Sequence, residues 1–302
     1  MEDRIRANGK YNFKKNAPLY LMLAPFMLLF FTFTVFPVMF SIFISFTHYN
    51  VLQPPTFIGF DNFRRLFLED DLFILSIQNT FIMALITGPL GYLLAFLMAW
   101  LINELPTKLR VVLTIVFYAP SISGNAFVLF LFLFSSDPFG WLNATLLSLG
   151  ILDEAVLWLS DPAYMMPIVI GVSLWMSLGF GFLSFVAGLQ TVDRAQYEAA
   201  YVDGITNRWQ ELWFVTLPNM RPILMFGAVL SITGALGVGD LTMALTGFPS
   251  AQYATHTMVN HLVDFGSVRM ELGYASSIAV ILLVLMLTAN KLVQMFLRRV
   301  GT

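Results

Sequence analysis

Residues 193–218 read DRAQYEAAYVDGITNRWQELWFVTLP, the longest well-patterned polar interruption in an otherwise apolar chain. Asp193 stands where a helix N-cap is expected, and Gln196 three residues on holds the reciprocal capping position. Ala195, Ala199 and Val202 then share one face at i, i+4, i+7 spacing. Gly204 marks where that helix must stop and the chain must turn. Asn207 and Gln210 repeat the capping spacing, which starts a second short helix at Thr206 or Asn207. Pro218 closes the segment just before the next apolar run. The pattern predicts a compact helix–turn–helix presented outside the bilayer, with small residues on one side that suit close approach by another protein. An ordinary amphipathic hairpin between two spans is the bland alternative, and the rest of the chain decides between them.

Charged residues make up only 11% of the chain and hydrophobic residues 58%, with a mean hydropathy of +0.77. A soluble domain carries roughly 25% charged residues, so this composition is that of an integral membrane protein. The net charge of −2 gives no basic excess of the kind that would point to nucleic acid. The absence of cysteine excludes disulfides, thiolate nucleophiles and cysteine metal sites.

Residues 1–17 are polar and basic, and the apolar run from about 18 to 46 is too long for a cleaved signal core. It reads as a retained first span. Further runs at about 72–102, 110–134, 163–190, 219–246 and 272–297 are long enough to cross, at roughly 20 residues per span. With the N-terminus inside, the inner segments hold Arg4, Arg6, Lys10, Lys14, Lys15, Lys108, Arg110, Arg194, Arg208, Arg221, Lys291, Arg298 and Arg299. The outer segments hold only Arg64, Arg65 and Arg269, which completes the 16 Lys and Arg. The positive-inside rule selects this orientation. The predicted fold is therefore all-α and integral to the membrane: a cytoplasmic tail (1–17), a six-span domain (18–297) and a second cytoplasmic tail (298–302). The 193–218 loop joins spans four and five on the cytoplasmic side.

The outer loops are acidic, with Asp61, Glu69, Asp70, Asp71, Asp137, Asp153, Glu154, Asp161, Asp264 and Glu271. Acidity there complements a positive inside, or it forms a docking surface for an extracytoplasmic partner. The apolar stretch 141–159 carries Asp153 and Glu154 and reads as one or two helices lying at the outer interface, with Trp158 at headgroup level. Pro25, Pro37, Gly88, Pro89, Pro120, Pro167, Gly179, Gly181, Gly234, Gly237 and Gly239 interrupt the spans. Such residues mark kinks that line cavities, which suits a moving gate better than a static anchor. No internal repeat is visible.

Several motifs resemble those of bacterial ABC importer permeases. Glu198-Ala199-Ala200, then Gly204, then Leu217-Pro218 resembles the EAA loop, which in that family docks into a cleft on a cytoplasmic ATPase. Asn62-Phe63, Pro120, the Gly140/Asn143/Leu146 triplet, Trp158-Leu159 with Asp161-Pro162, Trp175 and Leu189-Gln190 resemble the carbohydrate-type members. So do Asp240, Thr246-Gly247, Pro249, Thr255 and Gly273-Tyr274-Ala275, and the likeness covers about residues 18–297. Two departures lie where substrate would pass: Gly239 stands where the family has an aromatic, and Phe248 replaces a second glycine after Gly247.

The resemblance implies a multi-pass permease subunit of the bacterial cell membrane, forming half of the translocation path for a sugar or oligosaccharide. A second homologous permease would complete a heterodimer. Two cytoplasmic ATP-binding subunits would hold ATP and Mg, and an extracytoplasmic solute-binding protein would deliver the sugar. This chain would bind no cofactor, no metal and no nucleic acid, and would touch membrane lipid. The implied ATPase-coupling residues are Glu198, Ala199, Ala200, Asp203, Gly204, Leu217 and Pro218. Glu198 would make the charged contact, oriented by Arg194 four residues earlier. Ala199 and Ala200 would permit close packing, and Pro218 would fix the exit into span five. Trp175, Phe180, Phe182, Gly239 and Asp240 are candidates for the substrate path. Asp240 is the one carboxylate well inside a predicted span, and such groups are functional candidates by default. The alternative reading is a helix-capping carboxylate near the interface.

No phosphate-binding G-x-x-x-x-G-K-[ST] loop occurs in the chain, so an ATP-driven reading needs hydrolysis in trans and the chain itself is not an enzyme. The alternatives are an ABC permease for a non-sugar solute, a secondary carrier or channel, and a membrane enzyme. A carrier would show more charges inside its spans. A metal enzyme would have to use His48, His256 and His261, of which the last two are five apart and not at the i, i+4 spacing of a helical zinc pair.

Overall fold

The computed structural model of the protein describes residues 13–124 and 126–297, apart from the side chains of residues 13–16, 180 and 297. The expected basic positions Arg4, Arg6, Lys10, Arg298 and Arg299 lie outside the described residues, as does the side chain of Phe180.

In chain order the helices begin with α1 (Phe13–Phe30) and α2 (Phe36–Ile44), joined without a break by a π-helical turn. A two-residue antiparallel ribbon follows, β1 (Thr47–His48) with β2 (Thr56–Phe57). Then come α3 (Asp61–Leu68), α4 (Asp71–Asn103), α5 (Thr107–Ile122), α6 (Val128–Leu133), α7 (Trp141–Ser148), α8 (Pro162–Met176) and α9 (Phe180–Thr191). The polar loop supplies α10 (Arg194–Val202) and α11 (Arg208–Glu211). The chain ends with α12 (Leu217–Leu236), α13 (Asp240–Thr246), α14 (Met258–Val263) and α15 (Leu272–Leu297).

Among the described residues five helical runs are long and apolar enough to cross a membrane: Ala17–Ile44, Asp71–Asn103, Pro162–Thr191, Arg208–Leu236 and Leu272–Phe296. The predicted third span, 110–134, is not one helix. It divides into α5 and α6, because Gly124 turns left-handed (φ 64°) just after the Ser123 hydroxyl has folded back onto the Pro120 carbonyl. The predicted fifth span, 219–246, is also corrected. Its helix begins earlier, at Arg208, and breaks at residues 237–239 before α13. A Cβ on Gly239 would lie 2.4 Å from Val259 Cγ1, so the chain there is pressed against α14 and leaves the helical path. Hydropathy reports apolar length and is blind to both breaks.

The helices pack around α4, which meets α8, α9 and α12, while α12 leans on α15 and α15 on α2. One buried cluster joins Phe96, Phe182, Phe185 and Met220 across α4, α9 and α12. Phe182, a candidate above for the substrate path, is fully buried in it. Another joins Leu66, Phe73, Met258, Phe265, Tyr274 and Ile278 at the other end of α4 and α15. Large apolar side chains such as Met22 and Phe33 of the first run and Phe296 of the last stay exposed, as lipid contact requires.

The 141–159 segment forms a single short helix, α7, followed by turns. Trp158 is not a free headgroup anchor. Its indole N–H donates to buried Asn143 Oδ1 at 2.8 Å, and Asn143 Nδ2 donates to the carbonyls of Ser135, Asp137 and Val156. A fully buried amide has to find such partners, and it draws the indole inward.

Candidate functional site

The polar loop folds from local signals. Asp193 Oδ1 accepts from the Ala195 N–H at 3.0 Å and starts α10. The helix ends in a Schellman turn: Ile205 N–H donates to the Ala200 carbonyl at 3.0 Å and Gly204 N–H to that of Tyr201 at 3.2 Å. Gly204 carries the required left-handed backbone, φ 94°. Asn207 Oδ1 accepts from the Trp209 N–H at 3.0 Å and caps α11.

The second halves of both capping boxes do not form as expected. Gln196 Oε1 instead accepts from Asn219 Nδ2, and the Tyr197 hydroxyl lies 2.9 Å from Thr216 Oγ1. These two contacts tie α10 to the foot of α12. Arg208 pairs with Glu104 at 3.1 Å and Glu211 at 2.7 Å, while Trp209 packs against Trp100 with ring centroids 5.2 Å apart. Those contacts tie α11 to the end of α4.

The predicted small face is outward: Ala195, Glu198, Ala199 and Val202 are exposed, Val202 at 85%. Ala200 is a correction. It is 8% exposed and turned into the protein, since one α-helical face at this spacing must carry the contact with the chain's own core. Asp203 is the exposed C-cap of α10. Among the described residues Arg194 and Glu198 form no ion pair, so Arg194 does not orient Glu198. Nor do Leu217 and Pro218 mark a helix start. They sit inside one continuous helical run beginning at Arg208, directly after a π-helical turn at Leu212–Thr216. The wider turn shifts the hydrogen-bond pattern to i→i+5, with Leu217 N–H bonded to the Leu212 carbonyl. It thereby accommodates the missing N–H of Pro218.

A cavity of about 460 Å³ opens between α4, α8, α9, α12 and α13, within the roughly 300–1,000 Å³ range of small-ligand sites. Its wall is mostly apolar, with Met176, Phe185, Leu230 and Leu241, and is interrupted by small and hydroxyl residues such as Gly91, Ser173, Ser177 and Ser231. Ser231 donates to the Gly88 carbonyl at 2.8 Å, Ser177 to that of Leu174 at 2.6 Å and Thr87 to that of Met83 at 2.8 Å. Each hydroxyl keeps acceptor capacity for a ligand. Ser173 Oγ is buried without a partner. Among the described residues no charged side chain lines the cavity.

Among the described side chains, those of Trp175, Phe182 and Asp240 do not line that wall, and neither does Gly239. Trp175 packs edge-on against Phe130 with centroids 5.0 Å apart. Phe180 begins α9, Gly239 is wedged against Val259, and Asp240 is exposed in the first turn of α13, where a carboxylate complements the helix dipole. Gly179, Gly181 and Gly234, marked above as cavity-lining kinks, do line the wall. The Ser and Thr residues were missed because isolated hydroxyls in an apolar run read as ordinary helix-packing residues.

Residues 88–302 match the family described as "binding-protein-dependent transport system inner membrane component". The chain is 32% identical over 276 residues to the probable ABC transporter permease protein YesP of Bacillus subtilis (strain 168), covering 90% of this chain and 87% of YesP. It is 28% identical over 286 residues to the lactose transport system permease protein LacF of Rhizobium radiobacter, covering 93% of each. Its fold is similar to a chain of a bacterial ABC transporter involved in the import of the acidic polysaccharide alginate (TM-score 0.78, 27% identity, 96% of this chain and 98% of that one). That similarity recurs for the alginate transporter in complex with an alginate pentasaccharide-bound periplasmic protein (TM-score 0.78, 25% identity, 96% and 97%). A family match over most of its length, and YesP alike over nearly all of it, show that this chain belongs to the binding-protein-dependent transport system inner membrane component family, as a multi-pass membrane permease.

Proposed function

We propose that this chain is one permease subunit of an ABC importer for uncharged sugars or oligosaccharides, and that residues 193–218 couple it to separate ATPase subunits. The observation that carries the reading is the linkage of surface to cavity. Glu198 and Ala199 face outward on α10, while Gln196 and Tyr197 of the same helix grip the foot of α12, which walls the cavity. A force applied to α10 therefore reaches the cavity through side-chain contacts. The charge-free wall, mostly apolar with a few hydroxyls, suits the C–H faces and hydroxyls of a neutral sugar, and an acidic sugar would find no cation there. ATP and Mg would be bound by two partner ATPase subunits. A second permease would close the open side of the cavity, and a solute-binding protein would deliver the sugar, as the family description and the alginate complex suggest.

The test is the purified importer with its binding protein, with ATP hydrolysis measured across matched neutral and uronic oligosaccharides. Stimulation by neutral sugars is expected. Stimulation by uronic sugars alone would overturn the substrate class, and none by any sugar would overturn the sugar reading. In a sugar-uptake assay of the same importer, Asp240→Asn is expected to lower uptake several-fold while the ATPase still co-purifies, as a carboxylate on the translocation path requires. Normal uptake by Asp240→Leu would reduce Asp240 to a helix-dipole residue.

The orientation follows from charge. Residues 107–133 of α5 and α6 together are long enough for one crossing when joined across their break. That gives six crossings with both termini and the 193–218 loop cytoplasmic. A single cysteine placed at Asp153 in this cysteine-free chain should react with an impermeant thiol reagent in intact cells. One placed at Arg208 should not, and its labelling would refute the orientation.

A further inference from the structure

A buried polar chain joins three elements at the end of the helix core opposite the 193–218 loop. Asp70, the N-cap of α4, accepts from the Phe73 N–H at 3.0 Å through Oδ1 and from the Tyr274 hydroxyl at 2.6 Å through Oδ2. His261 of α14 places Nε2 3.0 Å from the same Oδ2, and its Nδ1 lies 3.1 Å from His256 Nε2. The two imidazoles are 1% and 2% exposed. Hydrogen-bonding capacity sets the direction. The carboxylate only accepts, so His261 Nε2 carries the proton that faces it. His261 Nδ1 then accepts, and His256 donates from Nε2. His256 Nδ1 is buried with no partner, which is tolerable for a bare lone pair and costly for an N–H. The opposite assignment, with both His261 nitrogens protonated, would force that unpaired buried N–H.

The same surface of α4 holds the neighbouring chain. Asn79 Nδ2 donates to the carbonyls of Tyr253 (3.1 Å) and His256 (3.0 Å), and Thr80 Oγ1 accepts from the Met258 N–H at 2.9 Å. Further along α4, Thr87 and Gly91 line the cavity.

We infer that Asp70 and His261 are positioning residues for transport, whose directed hydrogen-bond chain holds the segment between α13 and α15 on the end of α4. The inference rests on the transport reading above. Helices that wall a translocation cavity must move relative to one another, and this chain decides which parts of the far end move together.

The chain is sensitive to protons. Burial and the neighbouring His261 push His256 down to about 4. Burial alone would raise Asp70, but the bonds from His261, Tyr274 and the Phe73 N–H outweigh it and hold the carboxyl well below the usual range. The other charged or titratable groups facing the rings are Asp264, paired with Arg269 at 2.7 Å, and Tyr253. Behind Tyr274 stands Arg65, paired with Glu271 at 2.8 Å and 4.3 Å from the Tyr274 ring. A depressed histidine keeps its contribution above its ordinary range, near 6.5, and loses it as pH falls toward about 4. Between pH 6.5 and pH 5 the closed chain should weaken about tenfold relative to an open form with solvated His256.

The experiment uses the full importer with its ATPase, second permease and binding protein. Sugar-stimulated and basal hydrolysis of the wild type at pH 7 first establish the transport reading, so its failure shows there and nowhere else. The wild-type ratio of stimulated to basal hydrolysis should then fall toward pH 5, by up to about tenfold. His256→Phe, which keeps a ring against Phe248, should remove that acid limb. Asp70→Asn presents a donor where only acceptors fit, and should lose stimulation at every pH while basal hydrolysis persists. An unchanged acid limb in His256→Phe, or wild-type stimulation in Asp70→Asn, overturns the proposal. If Asp70→Asn fails to assemble, the His256→Phe profile alone decides.

Discussion

Gly273→Ala is expected to destabilise the fold strongly. A Cβ at this position would lie 2.1 Å from the Thr47 carbonyl oxygen and 3.0 Å from the Tyr49 N. Both are backbone atoms, so no rotamer change relieves the clash. Gly273 N–H also donates to the Tyr49 carbonyl at 3.0 Å, and the Thr47 carbonyl accepts from Asn62 Nδ2 at 2.9 Å. To admit one methyl group, the start of α15 must separate from the β1 ribbon and strain or break these bonds. Overpacking of a tight site costs roughly 1–3 kcal/mol, and each lost hydrogen bond adds about 1 kcal/mol. A total of about 3–5 kcal/mol is a large share of a typical stability of roughly 5–15 kcal/mol. Gly171→Ala is the control, because its Cβ meets nothing within 4 Å in the middle of α8. In detergent, Gly273→Ala should aggregate or lose several degrees of thermal midpoint, and Gly171→Ala should match the wild type. Equal midpoints for both would show that the approach of α15 to the ribbon is looser than it appears.

Local features were legible and long-range ones were not. The Asp193 cap, the Gly204 turn and the Asn207 cap were readable because each is settled within three or four residues by backbone hydrogen bonding. The facing of Ala200 was not, since it depends on Tyr197 meeting Thr216, nineteen positions away. Pro218 reads as a boundary in isolation, and only the π-helical turn before it makes a continuous helix possible. The divided third and fifth spans show the same limit. Ser123-Gly124-Asn125 and Gly237-Val238-Gly239 are local break signals that the mean hydropathy of each long run outweighs, while the breaks themselves arise from a left-handed Gly124 and from Val259 against Gly239. The motif residues Asn62 and Asn143 were visible as a family likeness. What they do is bind carbonyls brought in by other segments, Asn62 those of Ser45 and Thr47. The glycines Gly179, Gly181 and Gly234 pointed to the cavity, whereas its Ser and Thr residues escaped because hydropathy counts isolated hydroxyls as background.

Glu198→Lys is expected to insert normally and to lose its ATPase. The nine residues of α10 make a rod of about 14 Å at 1.5 Å per residue, anchored through Gln196 and Tyr197 to the foot of α12. A short anchored rod transmits displacement, whereas a free loop would bend. Glu198 is exposed and has no ion pair with Arg194, so its carboxylate is free for a cation on a partner. Removing one member of a desolvated interfacial charge pair costs roughly 2–5 kcal/mol, and reversing the charge adds repulsion. At about 1.4 kcal/mol per tenfold in affinity, ATPase retention on purification should drop by at least thirtyfold. Gly204→Val tests the rod's end by a different route. A Cβ there meets open space, so crowding is not the issue. The cost is the left-handed backbone at φ 94°, which a β-branched residue adopts only under strain of roughly 1–3 kcal/mol. The Schellman turn should open, α10 should fray from its C-terminal end, and stimulated hydrolysis should fall while basal hydrolysis and membrane insertion persist. Gly204→Asn, which tolerates this backbone, should retain most of the stimulation. Wild-type ATPase retention and stimulation in both Glu198→Lys and Gly204→Val would mean that force reaches α12 by some other surface, and the coupling role of residues 193–218 would be lost.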